Sequence, residues 1–538
     1  MSIAPYVSVI TPVYNPDALV LFECIQSVKK QTWSDFEHLL VDDASTFPHV
    51  QRVLLEAAQS DPRIVVSTRT ENGGIVAASN DALSKARGRI LVLLDHDDVL
   101  EDLALERIVE AFESSPEVEY VYTDEDVLVP QGHFADPFYK PDWSPERFRN
   151  QMYTCHISAF TNEIVRRVGG FREGFDGSQD WDLVLRVTEL AKKIVHIPEV
   201  LYHWRVVPSS VLSGEDVKPY AYDSAKRALE SQVQRLGLEA DVVEQTPRGY
   251  FKLLRRHSNW PLVSIIIPTC GATGIVWGTE RIMVLEAVRS ILDRSTWPNY
   301  ELILVVDEPM NQELLDELSE LAGQRLKILP FTKPFNFSEK CNLGALAASG
   351  EILLFLNDDV QVIEPNWIEV LAGFLREPDV GACGLRLLLE DGRVQHVGHV
   401  YLGGNPGHLM FGQMPDSDRN RIAISLDREV SGVTAACMAI TSEVFAEIGG
   451  FSTKFAGNYN DVDLCLKLRQ SGYRIVVSAQ ASLYHFESVS RDPTVSESEL
   501  QMLRDRWQED LASDPYYNPN FDQRFDNYPH PVSYPIKY

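Results

Sequence analysis

Acidic side chains follow an apolar segment in the first half of this sequence. Ile90–Leu94 is directly followed by Asp95, His96, Asp97 and Asp98. Ligands of α/β sheets bind beyond the carboxyl ends of parallel strands, so an apolar strand ending in carboxylates predicts a site. On a strand, Asp95 and Asp97 would point to one face, and carboxylate oxygens are ligands that Mg²⁺ and Mn²⁺ prefer. The alternative is a solvated acidic turn.

The same pattern recurs in the second half. Ile352–Leu356 is followed by Asn357, Asp358 and Asp359, and the two segments align without gaps. Asn357 takes the place of the first aspartate and still offers a carbonyl oxygen. Asp359 keeps the last carboxylate of the triplet, so a second acidic site is expected here.

Two further motifs occur once in each half. His203 and His485 each follow Leu-Tyr at the end of an apolar segment, and this repetition favours a ligand role over a structural one. Asp180 and Asp461 each lie just before a helical pattern. Helix capping alone would explain a carboxylate at such a position.

The elements that must position these residues alternate between strand and helix. From Tyr6 to Leu94 the order is strand, helix, strand, helix, strand, helix, strand, which predicts an α/β fold with a mostly parallel central sheet flanked by helices. The first turn contains neither GxGxxG nor GxxxxGK[ST]. A Rossmann dehydrogenase or a P-loop enzyme is therefore disfavoured.

Ordered repetition predicts a duplicated domain. Ser264–Pro268 matches Ser8–Pro12, and Gly449-Gly450-Phe451 matches Gly169-Gly170-Phe171. We expect a first domain at 1–247, a basic and polar linker at 248–261, and a second domain with a C-terminal tail at 262–538.

Composition excludes several classes of protein. The 538 residues carry a formal net charge of −29, which argues against nucleic-acid binding and against docking on an anionic membrane. The N-terminus lacks the pattern of a signal peptide, and no apolar stretch is long enough to span a bilayer. Seven scattered cysteines without a CxxC pair predict free thiols in a reducing cytosol.

Taken together, the motifs resemble those of family 2 glycosyltransferases of the GT-A fold, in both halves of the chain. The first half carries TPVYN, VDD, NGG, DHDD, GSQDWDL and YHWR. The second carries IPT, VVD, PFNFSEKCN, NDD, NYNDVDL and YHFES. With DGRVQHVGHV and the tail DPYYNPNFD, the second half is most similar to bacterial rhamnosyltransferase-type enzymes of O-antigens and other cell-surface glycans.

This resemblance implies an inverting hexosyl- or deoxyhexosyltransferase that uses a nucleotide-diphosphate sugar and a divalent metal, Mg²⁺ or Mn²⁺. It places the general bases at Asp180 and Asp461. It places the metal ligands at Asp97 and His203 in the first half, and at Asp359 and His485 in the second.

The resemblance also implies a set of residues that bind the nucleotide sugar. These are Pro12, Asp43, Gly73, Asn80 and Asp95 in the first half, and Pro268, Asp307, Lys340, Asn342 and Asn357 in the second. Lys340 would pair with a phosphate, and the alternative is an ordinary surface lysine.

The expected acceptor is a lipid-linked glycan, and the expected location is the cytoplasm, with peripheral contact at the inner face of the membrane left open. In an alternative hypothesis, one half is a non-catalytic glycan-binding or scaffold module. A nucleotidyltransferase would favour a glycine-rich, basic first loop, which TPVYNP lacks. A processive synthase is disfavoured because Arg504–Trp507 is RDRW, not QxxRW.

Overall fold

The computed structural model describes residues 4–206, 219–415, 424–486, 497–521, 525–526 and 528–529. Glu487, Ser488 and Asp522, which belong to motifs quoted above, lie outside these residues. The chain divides into two compact units between Leu253 and Leu254, with Ser144–Arg147 grouped with the second unit. The predicted linker 248–261 contains a strand, Phe251–Arg255.

The first unit begins the alternating pattern. Its strands are β1 (Val7–Val13), β2 (Phe36–Asp42), β3 (Ile64–Thr68), β4 (Ile90–Leu93), β5 (Val99–Leu100), β6 (Val118–Leu128), β7 (Phe134–Phe138), β8 (Ser158–Thr161), β9 (Lys193–Arg205), β10 (Ala240–Glu244) and β11 (Phe251–Arg255). Its helices are α1 (Ala18–Lys29), α2 (Pro48–Ser60), α3 (Gly74–Lys85), α4 (Ala104–Glu113), α6 (Asn162–Arg167), α7 (Gln179–Thr188) and α8 (Pro219–Arg235), together with α5 (Pro145–Asn150), whose residues up to Arg147 are grouped with the second unit.

The second unit repeats the pattern with additional strands. Its strands are β12 (Val263–Thr269), β13 (Thr273–Val276), β14 (Thr279–Ile282), β15 (Tyr300–Asp307), β16 (Leu326–Phe331), β17 (Ile352–Leu356), β18 (Val360–Val362), β19 (Val380–Leu388), β20 (Val394–His396), β21 (His399–Leu402), β22 (Asn405–His408), β23 (Arg428–Glu429), β24 (Cys437–Thr441), β25 (Arg474–His485), β26 (Phe525–Asp526) and β27 (Tyr528–Pro529). Its helices are α9 (Met283–Arg294), α10 (Gln312–Ala322), α11 (Phe337–Ala347), α12 (Trp367–Phe374), α13 (Ser442–Glu447), α14 (Asn460–Gln470) and α15 (Glu497–Ala512).

The two central sheets have the same topology. The first has the strand order β3-β2-β1-β4-β8-β6-β9-β5, and the second has β16-β15-β12-β17-β24-β19-β25-β18. In each sheet the first four strands are parallel and the fifth, β8 or β24, is antiparallel. The predicted α/β fold with a duplicated, mostly parallel sheet is therefore confirmed.

The strands that carry the acidic ends are buried on both faces. Side chains of β17 alternate between two apolar clusters, with Ile352, Leu354 and Leu356 in one and Leu353 and Phe355 in the other. A parallel strand covered on both faces needs such a continuous apolar segment. The polar residues that follow must therefore lie where the strand leaves the core, at the carboxyl edge of the sheet.

The segment between β12 and α9 forms a hairpin. Residues of β13 pair with those of β14, and the turn places Trp277 and Gly278 at its tip. All seven cysteines are free thiols and five of them are buried. Among the helices of the described segments, none is both long and apolar enough to cross a lipid bilayer.

Candidate functional site

The second unit contains a cavity of about 510 Å³ at the carboxyl ends of β12, β15 and β17. Most of the residues predicted for the second site line it together. They are Pro268, Asp307, Lys340, Asn357, Asp359, Asp461 and His485. The fold thus brings these residues, distant in sequence, to one place.

The acidic strand end and the Leu-Tyr-His motif meet in this cavity. Oδ1 of Asp359 lies 3.3 Å from Nε2 of His485, and Nδ2 of Asn357 lies 3.2 Å from the same nitrogen. The cause is strand pairing, since Val360 of β18 is the partner of His485 on β25. Ligands of an octahedral Mg²⁺ or Mn²⁺ ion are separated by about 3 Å. The carboxylate of Asp359 and the imidazole of His485 fit such an ion, whereas Asn357 presents its amide nitrogen to His485.

Asp358 differs from its neighbour. Thr269 donates a hydrogen bond of 2.6 Å to Oδ2 of Asp358. Burial and the charge of Asp359 raise the pKa of Asp358 above its usual value. Asp358 therefore stabilises the turn against β12, and Asp359 supplies the charge that faces the cavity.

Lys340 is not a surface lysine. It is 1% exposed, its Nζ lies 3.0 Å from Oδ1 of Asp307, and it donates to the carbonyl of Thr269 at 3.0 Å. Lys340 therefore holds the carboxylate of Asp307, at the end of β15, beside β12. The direct contact of Lys340 is therefore with Asp307.

Asp461 is the second residue of α14. Its Oδ1 accepts from the N–H of Val462 at 2.9 Å and its Oδ2 from the N–H of Ala435 at 3.1 Å. Burial alone would raise the pKa of Asp461, but its polar surroundings, among them the hydrogen bond from the N–H of Ala435, lower it below its usual value. The carboxylate is thus ionised in the cavity, as a general base must be.

The neighbouring Asp463 has a structural role. It is fully buried, it accepts a hydrogen bond of 2.9 Å from Nε1 of Trp507, and it pairs with Arg506 at 2.9 Å. Two residues apart on a helix, Asp461 and Asp463 point in different directions. Tyr459 occupies the N-cap position of α14, so neither carboxylate is the N-cap, although Asp461 does accept from the first-turn N–H of Val462.

The first unit forms a different cluster at its acidic strand end. Ligand atoms of Asp95, Asp98 and His156 all lie within 4.8 Å of one another. His156 Nε2 is 3.8 Å from Asp95, and its Nδ1 is 3.5 Å from Glu125. Burial works against a charged His156, but the hydrogen bond and charge of Glu125, with Asp95 and Asp98, raise its pKa to about 9. The predicted ligand Asp97 is not a member of this cluster.

His203, predicted as a metal ligand, lies beside two carboxylates outside the acidic strand end. Its Nδ1 lies 2.6 Å from Asp126 and its Nε2 lies 3.1 Å from Glu101. The hydroxyl of the preceding Tyr202 donates to Asp98 at 2.5 Å. Adjacent side chains of a strand point to opposite faces, so Tyr202 faces the acidic turn and His203 faces away from it.

The residues that sequence reasoning missed are Asp98 and His156. Asp98 belongs to the acidic motif but stands at the wrong spacing for the expected triplet. His156 precedes β8 in a segment that has no counterpart motif in the second half. No sequence signal identifies it, because a long-range fold contact brings it to Asp95.

Asp180 has the position in α7 that Asp461 has in α14. It is the second residue of the helix, and its Oδ1 accepts from the N–H of Trp181 at 2.8 Å. Burial raises the pKa of Asp180, while the charge of His156 opposes this shift. The two predicted bases therefore differ in their electrostatic surroundings.

The predicted nucleotide-binding turn of the first unit is held by Asp43. Its two carboxylate oxygens accept from the N–H groups of Gly73 and Gly74 at 2.9 and 2.8 Å, and Arg69 lies 3.0 Å away. A Cβ at Gly73 would lie 2.7 Å from the Arg69 side chain. Two of the predicted nucleotide-binding residues, Asp43 and Gly73, thus contact each other. A third, Pro12, has its carbonyl oxygen 3.0 Å from Nδ1 of His96.

Asn80 and Asn342, which were predicted to bind the nucleotide sugar, each make two hydrogen bonds to backbone groups. The amide of Asn342 donates to the carbonyl of Phe451 at 2.8 Å and accepts from its N–H at 3.0 Å. Asn80 makes the same pair of bonds with Phe171, at 2.9 and 3.0 Å. Because both polar ends of each side-chain amide are engaged by backbone, these asparagines connect a helix to the Gly-Gly-Phe turn.

Comparison with known proteins agrees with this duplicated architecture. The model of the family described as glycosyl transferase family 2 matches residues 8–169 and again residues 264–449. The chain is 39% identical over 534 residues to the uncharacterized protein y4gI of Sinorhizobium fredii, covering 96% of this chain and 57% of that protein. It is 37% identical over 526 residues to the O-antigen biosynthesis protein RfbC of Myxococcus xanthus, covering 97% of this chain and 40% of that protein. The chain thus spans only part of the length of these relatives.

Solved structures show weaker similarity. The crystal structure of S. aureus TarS 1-349 in complex with UDP-GlcNAc covers 42% of this chain and is matched over 66% of its own length, with a TM-score of 0.36 and 20% identity. The mannosyltransferase PcManGT from Pyrobaculum calidifontis, in complex with GDP-Man and Mn²⁺, covers 44% of this chain and is matched over 75% of its own length, with a TM-score of 0.32 and 20% identity. The two matched segments and the duplicated sheet show that the chain belongs to glycosyl transferase family 2, with the family's GT-A fold in each half.

Proposed function

We propose that the chain is a bifunctional inverting glycosyltransferase, with one catalytic domain at 1–247 and a second at 262–538. Each would transfer a sugar from a nucleotide-diphosphate donor to a growing bacterial surface glycan on a lipid carrier, at the cytoplasmic face of the membrane. The observation that carries the proposal is the second cavity, where Asp359 and His485 lie together with Asp461.

In the second domain, Asp359 and His485 would hold a divalent ion with the help of Asn357. When bound, the ion would neutralise the charge that develops on the leaving diphosphate. Asp307, held by Lys340 at 3.0 Å, would accept hydrogen bonds from the nucleoside. These residues would fix the donor with its anomeric carbon facing Asp461.

The reaction would be a single displacement. The hydroxyl oxygen of the acceptor attacks the anomeric carbon as the bond from that carbon to the diphosphate oxygen breaks. The proton of the hydroxyl passes to the carboxylate of Asp461. The configuration of the sugar is inverted and no covalent enzyme intermediate forms.

In the first domain, Asp180 would take the part of Asp461. Asp95 and Asp98 would hold the ion, since their carboxylate oxygens lie within 4.8 Å of each other and carboxylates are preferred ligands of Mg²⁺ and Mn²⁺. His156 would lie beside them as a protonated ring, because, despite its burial, Glu125, Asp95 and Asp98 raise its pKa. Asp43 would order the Gly73-Gly74 turn beside the nucleotide.

The alternative hypothesis is that only the second half is catalytic and the first half binds glycan or acts as a scaffold. The specific observation in its favour is that the halves differ at the acidic strand end. His485 lies 3.3 Å from Asp359, whereas His203 is engaged by Asp126 and Glu101.

The test incubates the chain with a panel of nucleotide sugars, Mn²⁺ and lipid-linked acceptors, and records nucleotide release and product linkages. Asp180→Asn and Asp461→Asn are each expected to remove a different glycosidic bond from the product. If Asp180→Asn leaves every bond intact, the first half is not catalytic and the alternative holds. If the unmodified chain releases no nucleotide with any donor, the proposed function is wrong.

A further inference from the structure

Three histidines of the second unit meet beside Asp461, in the DGRVQHVGHV segment and the strand after it. His399 on β21 and His408 on β22 are cross-strand partners, which places their side chains on the same face. His396 ends β20 and reaches the pair through a tight connection at Gly398, whose φ is +110°. A Cβ at Gly398 would lie 2.5 Å from Val430, so the connection requires glycine.

The hydrogen bonds of His396 indicate that this histidine interacts with the neighbouring imidazole of His408 and does not bind a metal ion. The N–H of Thr434 donates to Nε2 of His396 at 3.1 Å. The hydrogen of a neutral His396 is therefore on Nδ1, which lies 2.9 Å from Nδ1 of His408. A nitrogen that carries a hydrogen has no lone pair for a metal.

His399 is held neutral in the cavity wall. It is 5% exposed, and burial lowers its pKa although Asp461 opposes this shift. Its Nδ1 is buried and makes no hydrogen bond, while its Nε2 lies 4.0 Å from Oδ2 of Asp461. The nearby carboxylate favours the tautomer with the hydrogen on Nε2.

The gap between Asp461 and His399 has the size of one hydroxyl group. At 4.0 Å the two atoms are too far apart for a direct hydrogen bond. A hydroxyl oxygen at ordinary hydrogen-bond distances, about 2.7 Å from the carboxylate and about 2.9 Å from the imidazole, fits between them. Its angle to the two atoms would be roughly 90°.

We propose that His399 and Asp461 together bind the hydroxyl group of the acceptor that attacks the donor sugar. The hydroxyl would donate its hydrogen to Oδ2 of Asp461 and accept a hydrogen bond from Nε2 of His399. This directs the transferable proton at the base and one lone pair of the oxygen at His399, leaving the other lone pair for the anomeric carbon.

The inference rests on the proposed function of the second half, because it assigns the acceptor side of that site. No counterpart is expected from the first half, where the matching segment lacks the DGRVQHVGHV sequence. The acceptor is identified here only by its chemistry, as a sugar hydroxyl.

The test compares His399→Gln with His399→Phe in the full chain. The amide nitrogen of glutamine reaches about as far as Nε2 of histidine and donates a hydrogen bond, whereas phenylalanine fills the space without a donor. We expect His399→Phe to lower the rate of the second transfer by about 100-fold or more, and His399→Gln to restore a large part of it. Binding of the nucleotide donor should be unchanged in both, and circular dichroism should show folded protein.

Two results would overturn the inference while the proposed function stands. One is a wild-type rate of transfer in His399→Phe. The other is an equal loss in both variants when both are folded, which would indicate that His399 only shapes the cavity. If the unmodified chain transfers no sugar and Asp461→Asn changes nothing, the proposed function itself fails, and the inference fails with it.

Discussion

Asp359 and His485 lie 126 positions apart in the chain, and Oδ1 of one is 3.3 Å from Nε2 of the other. The pairing of β18 with β25 brings them together. The corresponding histidine of the first half, His203, instead lies 2.6 Å from Asp126. Two identical Leu-Tyr-His motifs therefore have different surroundings, and this difference can be tested.

His485→Ala should weaken metal use in the second transfer. Loss of one ligand is expected to raise the Mn²⁺ concentration needed for half-maximal rate by about 10- to 100-fold or more. His203→Ala, its matched control, should leave the Mn²⁺ dependence of both transfers unchanged. The measurement is the transfer rate as a function of Mn²⁺ concentration. A larger change in the half-maximal Mn²⁺ concentration in His203→Ala than in His485→Ala would contradict the proposed role of His485 as a metal ligand.

Lys340→Met should weaken binding of the donor. The variant leaves Asp307 without its cation at the end of β15, so its carboxylate loses the contact that holds it at 3.0 Å. We expect a rise of about 10-fold in the dissociation constant of the nucleotide, which corresponds to the roughly 1.4 kcal/mol of a charged hydrogen bond. Calorimetry with the nucleotide measures it. Lys327→Met, which removes a more exposed lysine paired with Glu301, is the control and should bind normally.

Asn342→Ala should destabilise the second domain without a direct effect on the nucleotide. It leaves the N–H and carbonyl of Phe451 without their side-chain partners, at an expected cost of about 2 kcal/mol in the free energy of unfolding. Asn80→Ala should have a similar effect in the first domain. Urea unfolding measures both losses of stability. A loss of nucleotide affinity at unchanged stability would instead support direct binding of the nucleotide by these asparagines.

Gly450→Ala tests the same contact from the other side. The new Cβ would lie 2.8 Å from Oδ1 of Asn342, on a backbone with φ of +64°. The variant should lose stability, and combination with Asn342→Ala should cost less than the sum of the single changes because the clash is removed. Additive losses in the free energy of unfolding would mean that strain at the positive φ is the whole effect.

Asp182→Asn and Asp180→Asn should separate structure from chemistry in α7. Asp182 is fully buried and pairs with Arg186 at 2.7 Å and also with Arg172, so its neutralisation should cost about 3 kcal/mol. Asp180→Asn should leave the melting temperature almost unchanged and remove one transfer. Thermal unfolding and product analysis distinguish them, and a large loss of stability in Asp180→Asn would argue for a structural role.

The alternation of strands and helices and the duplication followed from local patterns. Apolar segments such as Ile352–Leu356 are long enough for a strand buried on both faces, and their recurrence in the same order predicted two copies of one domain. The predicted acidic site at the end of this segment followed in turn, because ligands of α/β sheets bind beyond the carboxyl ends of parallel strands.

The contacts of individual side chains were decided by tertiary structure. Val99 pairs with His203 as Val360 pairs with His485, so strand register alone does not separate the two histidines. The contacts of His203 with Asp126 and Glu101 do. The burial of Lys340, the backbone contacts of Asn342 and the approach of His156 to Asp95 all involve segments far apart in sequence.

By itself, the amino-acid sequence determined the fold class, the two copies and the carboxylates at the strand ends, because these depend on periodicity and on residue type. Only the tertiary structure decided which carboxylate has a histidine beside it and that His399 lies 4.0 Å from Asp461. Those relationships depend on strand register and on packing between distant segments, which local sequence patterns do not encode.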